Sequence, residues 1–413
     1  MMKFERLGNI CTIRNGFAFN SDEFSDKGIP VVRISDLSNG IATADKAQRI
    51  SFDAKYDRFK IIDGDILVAM SGATTGKFAR FKSIEFAFQN QRVGCFIIKD
   101  RSVLNDGYLF FCLENLKKEI KKKAYGGAQP NISSGDIENL KIPLPSLPEQ
   151  FRIANILSKA ENLIAQRKES LRLLDEFLKS TFLEMFGDPV RNEKGWEIVK
   201  LKELVKCLDT GKSIQSVEIE AAGEFKVLKT SAVSWGNFIK EESKWLPLNY
   251  FPPKNHLIKK GDILMSRMNT CELVGASVFV FDEIKNLALP DRIWKFILNE
   301  NNDINSYFLW YSINWSSFRK IISSISSGTS GSMKNITKIG VLNLQVIHPP
   351  LSLQTQFADI VKKTEILKER YQASLAELEN LYQSLSQRAF RGELGVKEDP
   401  VLLAAEPGVG YFP

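Results

Sequence analysis

The sequence predicts an α+β protein in which two pseudo-symmetric domains are separated by an antiparallel two-helix coiled coil. Three observations support this fold class. The chain has 413 residues, which is more than one hydrophobic core usually accommodates. Its segments recur about 200 residues apart, a distance too long for a solenoid repeat. Each copy ends in a long segment whose apolar residues follow the heptad spacing of a coiled coil.

The repeat is visible in short segments that keep their order in both copies. VVRISDLSNG (31–40) matches VLKTSAVSWG (227–236), IIDGDILVAMS matches LIKKGDILMS, and QPNIS matches MKNIT. Gly16 corresponds to Gly211, and Gly64 corresponds to Gly261. The distance between matching residues increases slowly along the chain, and small insertions in loops explain this drift. A duplication that only enlarges a scaffold is the alternative to a duplicated functional domain.

The sequence predicts the same order of strands and helices in each copy. Short apolar runs bounded by Gly, Asn and Asp, such as IPVVRIS, GDILVAMSG and QRVGCFIIK, predict strands. A helix follows, YLFFCLENLKKEIKKKA in the first copy and SYFLWYSINWSSFRKII in the second. A polar loop and one more strand lead to the long helix. The predicted parts are a first domain at 1–146, a first long helix at 147–187, a second domain at 188–350, a second long helix at 351–392 and a C-terminal tail at 393–413.

The long helices are predicted from apolar residues at alternating steps of four and three. Ser146 and Glu149 resemble a capping box, and Gly187 and Gly392 mark the helix ends. A helix of about 40 residues is about 60 Å long, so it projects from its domain and needs a partner. Packing on its own domain and homodimerisation through four helices are the alternatives. The predicted seam consists of Leu157, Ile164, Leu171, Leu178 and Met185 in the first helix and Phe357, Ile360, Leu367, Leu378, Leu381 and Leu385 in the second.

The composition is compatible with a nucleic-acid partner. The formal net charge is +7, which favours polyanions. Two similar domains joined by a rigid rod could each read a short half-site in the major groove, with the rod setting the spacing between half-sites. The two domains differ in sequence, which predicts an asymmetric, two-part target. The N-terminus lacks the apolar segment of a signal peptide, and no membrane span is expected, so we expect a cytoplasmic protein without a membrane partner.

Residues for catalysis or metal binding are not indicated. GATTGK (72–77) is one residue too short between its glycines for a phosphate loop and lacks Ser or Thr after Lys77. NYFPP (249–253) has the wrong order for the Asn- or Asp-Pro-Pro-aromatic motif of an amino-methyltransferase, and no suitably spaced acidic-x-Lys pair follows Pro290-Asp291. The five cysteines are scattered, which favours reduced thiols, and the two histidines stand apart from them. We therefore expect a protein that is not an enzyme.

Candidate DNA-binding residues lie in polar loops at matching positions of the two copies. Amide side chains can pair with adenine, and lysines suit phosphates better than bases. A solvated helix face and simple tight turns are the structural alternatives. The candidates are Gln91, Arg92, Lys121, Lys122, Lys123, Gln129 and Asn131 in the first domain and Arg267, Asn269, Arg292, Lys334 and Asn335 in the second.

Residues 1–395 resemble the specificity subunit of type I restriction-modification enzymes. The resemblance is carried by LGNICTIRNGFAF, IPVVRISDL, GDILVAMSG, PNIS, IPLPSLPEQFRIANIL, LLDEFLKSTFLEMFGDP and SLSQRAFRGEL, in this order. The second copy is looser, with SLQTQF where the first copy has LPEQFR. Each motif is weak by itself, and the match depends on their order and duplication.

The resemblance implies two target-recognition domains that read the two halves of a split sequence in double-stranded DNA. It also implies that the antiparallel helices dock two methyltransferase subunits and, in the full complex, two restriction translocase subunits. The subunit itself has no catalytic activity in that family. S-adenosylmethionine, Mg²⁺ and ATP belong to the partner subunits, so no cofactor is expected on this chain.

Two other classes of function remain open at this point. The chain could be a non-enzymatic coiled-coil scaffold whose β-rich domains bind protein or carbohydrate ligands. Alternatively, it could be an autonomous nuclease, which would cleave DNA in the presence of a metal ion. The tail VKEDPVLLAAEPGVGYFP contains Pro, Gly and acidic residues, which are typical of a loose chain end.

Overall fold

The computed structural model describes residues 3–125, 130–216, 222–234, 236–300, 303–328 and 333–394. It contains two compact units. Unit 1 comprises the residues up to Lys168 together with those from Ala373 onward, and unit 2 comprises Glu169–Gln372. Each long helix therefore contributes one half to each unit. The predicted tail lies, from residue 395, outside the described residues.

Unit 1 begins with a strand-rich segment and ends in helices. Its strands are β1 (Phe4–Arg6), β2 (Cys11–Asn15), β3 (Phe24–Ser25), β4 (Ile29–Val32), β5 (Leu37–Ser38), β6 (Ile41–Ala42), β7 (Arg49–Ile50), β8 (Lys60–Ile61), β9 (Ile66–Ala69), β10 (Phe78–Phe81), β11 (Ala87–Gln89), β12 (Val93–Ile98) and β13 (Lys141–Pro143). Its helices are α1 (Leu7–Ile10), α2 (Asp106–Lys123), α3 (Ser134–Glu138) and the start of α4 (Leu147–Phe186), with 3₁₀ turns at Ser21–Glu23, Ile34–Asp36 and Ala54–Phe59.

The strands of unit 1 form two main sheets. One has six strands in the order β2-β12-β9-β10-β6-β5, the other has five in the order β3-β7-β4-β11-β8, and β1 pairs with β13 separately. Most pairings are antiparallel, whereas β10 with β6 and β11 with β4 are parallel. The three strands predicted from apolar runs are confirmed as β4, β9 and β12. The main core lies between the six-stranded sheet and α2, with Tyr108, Leu109 and Leu113 fully buried.

Unit 2 repeats this plan with smaller sheets. Its strands are β14 (Ile198–Lys200), β15 (Val205–Thr210), β16 (Ala222–Leu228), β17 (Ser243–Pro247), β18 (Ile263–Ser266), β19 (Met268–Asn269), β20 (Ser277–Phe279), β21 (Leu287–Ala288), β22 (Ile293–Leu298), β23 (Lys334–Asn335) and β24 (Gln345–Ile347). Its helices are α5 (Leu201–Leu204), α6 (Ser306–Asn314), α7 (Ser316–Ser324), α8 (Lys338–Leu342) and the start of α9 (Leu351–Arg391), with 3₁₀ turns at Thr230–Val233 and Lys254–His256. The sheet orders are β15-β22-β18-β20 and β17-β16-β21, with β14-β24 and β19-β23 as separate pairs.

The predicted helix of the second copy is broken in two. α6 ends at Asn314 and α7 begins at Ser316, because Trp315 adopts an extended conformation with ψ 141°. The Trp315 indole stacks on Phe182 at 5.1 Å between ring centroids, and its N–H donates to Asp188 Oδ2 at 3.2 Å. These tertiary contacts hold the side chain where a continuous helix would not place it. The first copy has no tryptophan here, and α2 is continuous.

The two long helices begin at the predicted residues, Leu147 and Leu351, and each ends one residue earlier than predicted, at Phe186 and Arg391. α4 has 40 residues and α9 has 41. Gly187 and Gly392 follow them with φ of +76° and +77°, the left-handed conformation that commonly ends a helix. The capping box predicted at Ser146 and Glu149 forms only in part. Its backbone N–H and its hydroxyl both donate to Glu149 Oε2, at 3.0 and 2.8 Å.

The helices run antiparallel in each unit. In unit 1 the start of α4 packs against the end of α9, and Lys168 Nζ lies 2.8 Å from Glu379 Oε1. In unit 2 the end of α4 packs against the start of α9, and the Phe182 ring lies 5.4 Å from that of Phe357. Each core thus contains a helical segment of the other repeat. Leu385 and Ala389 belong to the unit 1 core, whereas Leu178, Phe182 and Phe186 belong to the unit 2 core.

The seam residues lie on the inner faces of the helices, with one correction. Leu157, Leu178, Phe357 and Leu385 are buried, and Ile164, Leu171, Met185, Ile360, Leu367 and Leu378 are half-buried. Leu381 was predicted on the seam but is 43% exposed. Tyr382 lies inward instead, where its hydroxyl donates to Glu161 Oε1 at 3.0 Å. The inner face shifts by one residue here because a straight helix drifts relative to an exact heptad repeat.

A buried glutamine, which was not predicted from the sequence, anchors the start of each long helix. Gln150 and Gln354 are both fully buried. Their side-chain oxygens accept from the backbone N–H of Asn105 and Asn305, at 2.9 and 2.8 Å, just before α2 and α6. Their side-chain nitrogens donate to backbone carbonyls. The signal was present, since the two glutamines occupy matching positions of the repeat.

Replacing Phe182 by Ala tests the contribution of α4 to unit 2. Phe182 is fully buried against Phe186 and Phe357, so Phe182→Ala should lower the free energy of unfolding by about 3–5 kcal/mol. All six tryptophans lie between Trp196 and Trp315, so tryptophan fluorescence in urea follows unit 2. The control is Phe177→Ala on the same helix, whose side chain is 48% exposed. Equal destabilisation by both variants would contradict this packing.

Candidate nucleic-acid interface

Three chain segments meet at one end of the sheet of unit 2. The Arg267 N–H donates to the Arg292 carbonyl at 2.9 Å, and the Ile336 N–H donates to the Arg267 carbonyl at 3.1 Å. The segment after β18, the turn before β22 and the segment around β23 are therefore adjacent. β19 pairs with β23, which places Asn269 opposite Lys334. This three-segment edge brings together all five candidate residues of the second domain.

Equivalent backbone hydrogen bonds form a three-segment edge in unit 1. The Met70 N–H donates to the Arg92 carbonyl, and the Ile132 N–H donates to the Met70 carbonyl, both at 2.9 Å. Ser71 and Asn131 form an isolated antiparallel bridge, as Met268 and Asn335 do within the strand pair of unit 2. The edge thus gathers Arg92 and Asn131 with the neighbouring Gln91. The polar loops predicted from matching positions of the repeat occupy matching places in the fold.

The candidates of unit 1 are exposed. Gln91, Arg92 and Asn131 are exposed, and Tyr125 exchanges backbone hydrogen bonds with Asn131 at 2.9 and 2.7 Å. This bridge brings the C-terminal end of α2 close to the edge. The exposed residues Lys121, Lys122 and Lys123 form the last turn of α2. Gln129 lies outside the described residues.

Several candidates of unit 2 form hydrogen bonds with one another or with neighbouring residues. Arg267 Nε donates to the side-chain oxygen of Asn335 at 3.3 Å, and Asn269 Nδ2 donates to Ser234 Oγ at 2.9 Å. These bonds hold the Arg267 and Asn269 side chains at the edge. Lys334 Nζ donates to the Gly328 carbonyl at 3.0 Å, and Arg292 is exposed.

A basic hollow adjoins the edge of unit 2. It has a volume of about 250 Å³, and its lining includes Lys212, Lys229, Lys244 and Arg292. Lys229 also forms an ion pair with Glu242 at 3.4 Å, which places part of its charge within a local pair. The three lysines could not be grouped from the sequence because they come from three separate segments of the chain.

One glycine in each unit allows two backbone segments to approach closely at this edge. A Cβ added to Gly16 would lie 2.1 Å from the Asn90 carbonyl oxygen, and one added to Gly211 would lie 1.6 Å from the Leu289 carbonyl oxygen. Backbone atoms cannot move aside without displacing the turn that precedes β12 or β22. Gly16 and Gly211 are matching residues of the repeat, so this approach is a shared feature of both units.

Some polar residues near the edge have a structural explanation. Gln89 is fully buried; its amide nitrogen donates to the carbonyls of Arg14 and Val93, both at 2.6 Å. The GATTGK segment forms a turn in which the Gly72 N–H and the Thr75 hydroxyl donate to the Pro130 carbonyl. This turn therefore supports the loop that leads to Asn131.

The described residues contain no group of three or more His, Cys, Asp or Glu side chains that could hold a metal ion. Among the same residues, no helix combines the length and apolar character needed to cross a membrane. All five cysteines are free; Cys11, Cys95 and Cys112 are buried, and Cys207 and Cys271 are exposed. Burial raises the pKa of the Cys11 thiol to about 12, which disfavours a reactive thiolate.

Comparison with known proteins identifies the family. The family model described as the type I restriction modification DNA specificity domain matches residues 1–173 and 193–380. The chain belongs to this family. The two matched segments correspond to the two copies of the repeat, and each extends into a long helix.

Curated relatives and one solved structure agree with this family. The chain is 27% identical over 350 residues to the type I restriction enzyme MjaVIII specificity subunit of Methanocaldococcus jannaschii, covering 81% of this chain and 80% of the relative. It is 23% identical over 432 residues to the EcoKI specificity subunit of Escherichia coli, covering 97% and 91%. The crystal structure of the type I restriction-modification S subunit from M. genitalium has the same fold, with a TM-score of 0.60 at 14% identity, covering 94% and 96%.

Replacing Gly16 by Ala tests the close approach at the edge of unit 1. The added methyl would collide with the Asn90 and Gln89 carbonyls at 2.1 and 2.4 Å, which should cost about 1–3 kcal/mol, as overpacking does. The Gln91 N–H, which donates to the Phe17 carbonyl at 2.8 Å, should then exchange faster with deuterium.

The matched control for this variant is Gly135→Ala. A Cβ there meets nothing closer than Ser133 Oγ at 3.8 Å, and Ala is favoured over Gly in a helix. Unchanged hydrogen exchange around Gln91 in the Gly16→Ala protein would show that Gly16 does not hold this turn in place.

Proposed function

We propose that the chain is the DNA sequence-recognition subunit, or specificity subunit, of a type I restriction-modification complex. Each unit reads one half of a bipartite target in double-stranded DNA. The observation that carries this proposal is the three-segment edge, which both units build with equivalent backbone hydrogen bonds but equip with different side chains. Equivalent scaffolds with different side chains suit a protein that reads two different short sequences.

The edges have the chemistry needed for reading bases. Arg267 and Arg92 could donate two hydrogen bonds to guanine, and Asn131, Asn269 and Asn335 could pair with adenine. The cations in the last turn of α2 and around the hollow of unit 2 would contact phosphates, which position a protein on DNA without reading its sequence. The net charge of +7 supports such contacts.

The antiparallel helices give the proposed complex its second role. We propose that they set the spacer between the two half-sites and dock two methyltransferase subunits and, in the full complex, two restriction translocase subunits. The chain acts without catalytic residues or a cofactor of its own, and S-adenosylmethionine, Mg²⁺ and ATP serve the partner subunits. Such a complex works in the cytoplasm, where the genomic DNA lies.

Selection from a randomised duplex library tests this function. The purified chain, alone or with its methyltransferase, should enrich one sequence motif split into two halves. Arg267→Ala should relax the preference in one half by about 1–3 kcal/mol if its bidentate contact with guanine is lost. Asn131→Ala should relax the preference in the other half, because it lies in the other unit.

Lys334→Gln is the control for this experiment. If Lys334 contacts a phosphate, its loss should weaken binding to all sequences about equally. Thermal unfolding of each variant separates altered recognition from a loss of fold. Enrichment of no motif by the unsubstituted chain, or relaxation of the same half by Arg267→Ala and Asn131→Ala, would contradict the proposal.

A further inference from the structure

Unit 1 contains a basic cleft between β10, α2 and the start of α4. Its volume is about 630 Å³, and the cations that line it are Lys77, Arg80, Lys82, Lys117 and Lys121. The two carboxylates of the lining, Glu114 and Glu161, lie on α2 and α4. The cleft borders the proposed DNA-binding surface, because Lys121 lines it and also begins the Lys121–Lys123 turn at the end of α2.

The carboxylates of the basic cleft are already engaged. Glu114 forms an ion pair with Lys117. Glu161 accepts the hydrogen bond from Tyr382, and burial raises the pKa of its carboxyl group. Arg80 Nη1 lies 4.0 Å from Asp106 Oδ2, and Arg80 Cζ lies 4.7 Å from the centre of the Phe110 ring.

Three lysines of the cleft remain available for an anion. Lys77, Lys82 and Lys121 are exposed. Within the described part of the chain, none of the three forms an ion pair, whereas Lys117 and Arg80 do. Their ammonium groups are therefore available to a phosphate that reaches the cleft.

The matching place in unit 2 carries aromatic side chains instead of cations. Arg80 pairs with Ile66 in the sheet of unit 1, and Phe279 pairs with Ile263 at the same position in unit 2. Two residues further, Lys82 corresponds to Phe281. The rings of Phe279 and Phe281 lie 5.8 and 5.7 Å from Trp310, which occupies the place of Phe110. A hollow of about 410 Å³ remains at this place, and its lining includes Trp310, Tyr311, Trp315 and a single lysine, Lys179. The fold therefore does not require a cluster of cations here.

The two units also differ in where they place their cations around the edge. Unit 2 has Arg267 and Lys334 on the edge itself, where unit 1 has Met70 and Pro130. Each edge also has one matching arginine, Arg92 or Arg292. The further cations of unit 1 lie on the last turn of α2 and in the basic cleft, beside the edge and not on it.

We propose that the basic cleft binds backbone phosphates of the DNA duplex beside the first half-site, with Lys77, Lys82 and Lys121 as the contacting groups. This inference rests on the proposed function. Lysine ammonium groups bind phosphate oxygens as point charges and do not match base edges bidentately. The contacts are therefore independent of sequence and strengthen binding to every duplex equally.

An acidic segment of a partner protein fits the arrangement less well. In the proposed complex, two identical methyltransferase subunits meet the two units. A docking site for an acidic segment of that subunit should then recur in both units, yet the matching hollow of unit 2 is lined mainly by aromatic side chains such as Trp310, Tyr311 and Trp315. The two halves of an asymmetric DNA target place no such demand on the protein.

The salt dependence of DNA binding tests the basic cleft. The full-length chain is titrated onto a fluorescent duplex of arbitrary sequence and onto one with the selected motif, at several salt concentrations. The double variant Lys77→Gln, Lys82→Gln should reduce the slope of log affinity against log salt by about 1.8, since each phosphate contact contributes about 0.9. At 0.1 M salt this corresponds to an affinity about 60-fold lower for both duplexes, if the affinity extrapolated to 1 M salt is unchanged.

The matched control is Lys27→Gln, Lys46→Gln. It removes the same charge from two exposed lysines of unit 1 that do not line the cleft, and its slope should stay close to that of the unsubstituted chain. Thermal unfolding checks that both double variants keep their fold. Equal slopes for the two double variants would overturn the inference. Unchanged DNA binding with weakened methyltransferase binding would also overturn it and assign the cleft to a protein segment.

The ratio of the affinities for the two duplexes tests sequence recognition, and the salt slope tests phosphate binding in the cleft. Loss of phosphate contacts lowers the affinity for both duplexes and leaves their ratio unchanged. A ratio near one for the unsubstituted chain would contradict sequence recognition, whereas a changed slope would still support phosphate binding in the cleft.

Discussion

Each unit of this protein depends on a helical segment that follows the other repeat in the chain. Phe182 and Phe186, at the end of α4, are fully buried in the core of unit 2, and Ala389, near the end of α9, is fully buried in the core of unit 1. Removing a buried phenylalanine such as Phe182 or Phe186 from a core costs several kcal/mol, a large part of the stability of an ordinary domain. The long helices are therefore structural parts of both units as well as a connection between them.

This construction leaves the edges of the units free to differ. The backbone hydrogen bonds that join the three segments are equivalent in both units, so the positions of the loops do not depend on which side chains they carry. Met70 in one unit and Arg267 in the other form the same two backbone bonds. A fixed backbone with variable side chains is how one fold supports different binding surfaces. The basic cleft of unit 1 and the aromatic cluster of unit 2 extend this difference beyond the edge.

Features that depend on local sequence and on the repeat could be predicted. The helix bounds follow from heptad spacing and from Gly187 and Gly392, which act within a single turn. The matching loops could be predicted because a duplicated fold places them at equivalent positions. In contrast, the break at Trp315, the inward position of Tyr382 and the burial of Gln89 depend on contacts with residues distant in sequence. The lysines of the basic cleft were missed for the same reason, since β10 and α2 meet only in the folded protein.

Dividing the chain at Gly187 tests the shared cores most directly. Residues 188–413 contain all six tryptophans but lack Leu178, Phe182 and Phe186, so as a monomer this fragment should show no cooperative unfolding transition in tryptophan fluorescence. Co-expression with residues 1–187 should restore a one-to-one complex that unfolds like the intact chain. Sedimentation analysis establishes which species is present. A monomeric 188–413 fragment that unfolds with the same midpoint as the intact chain would contradict the account.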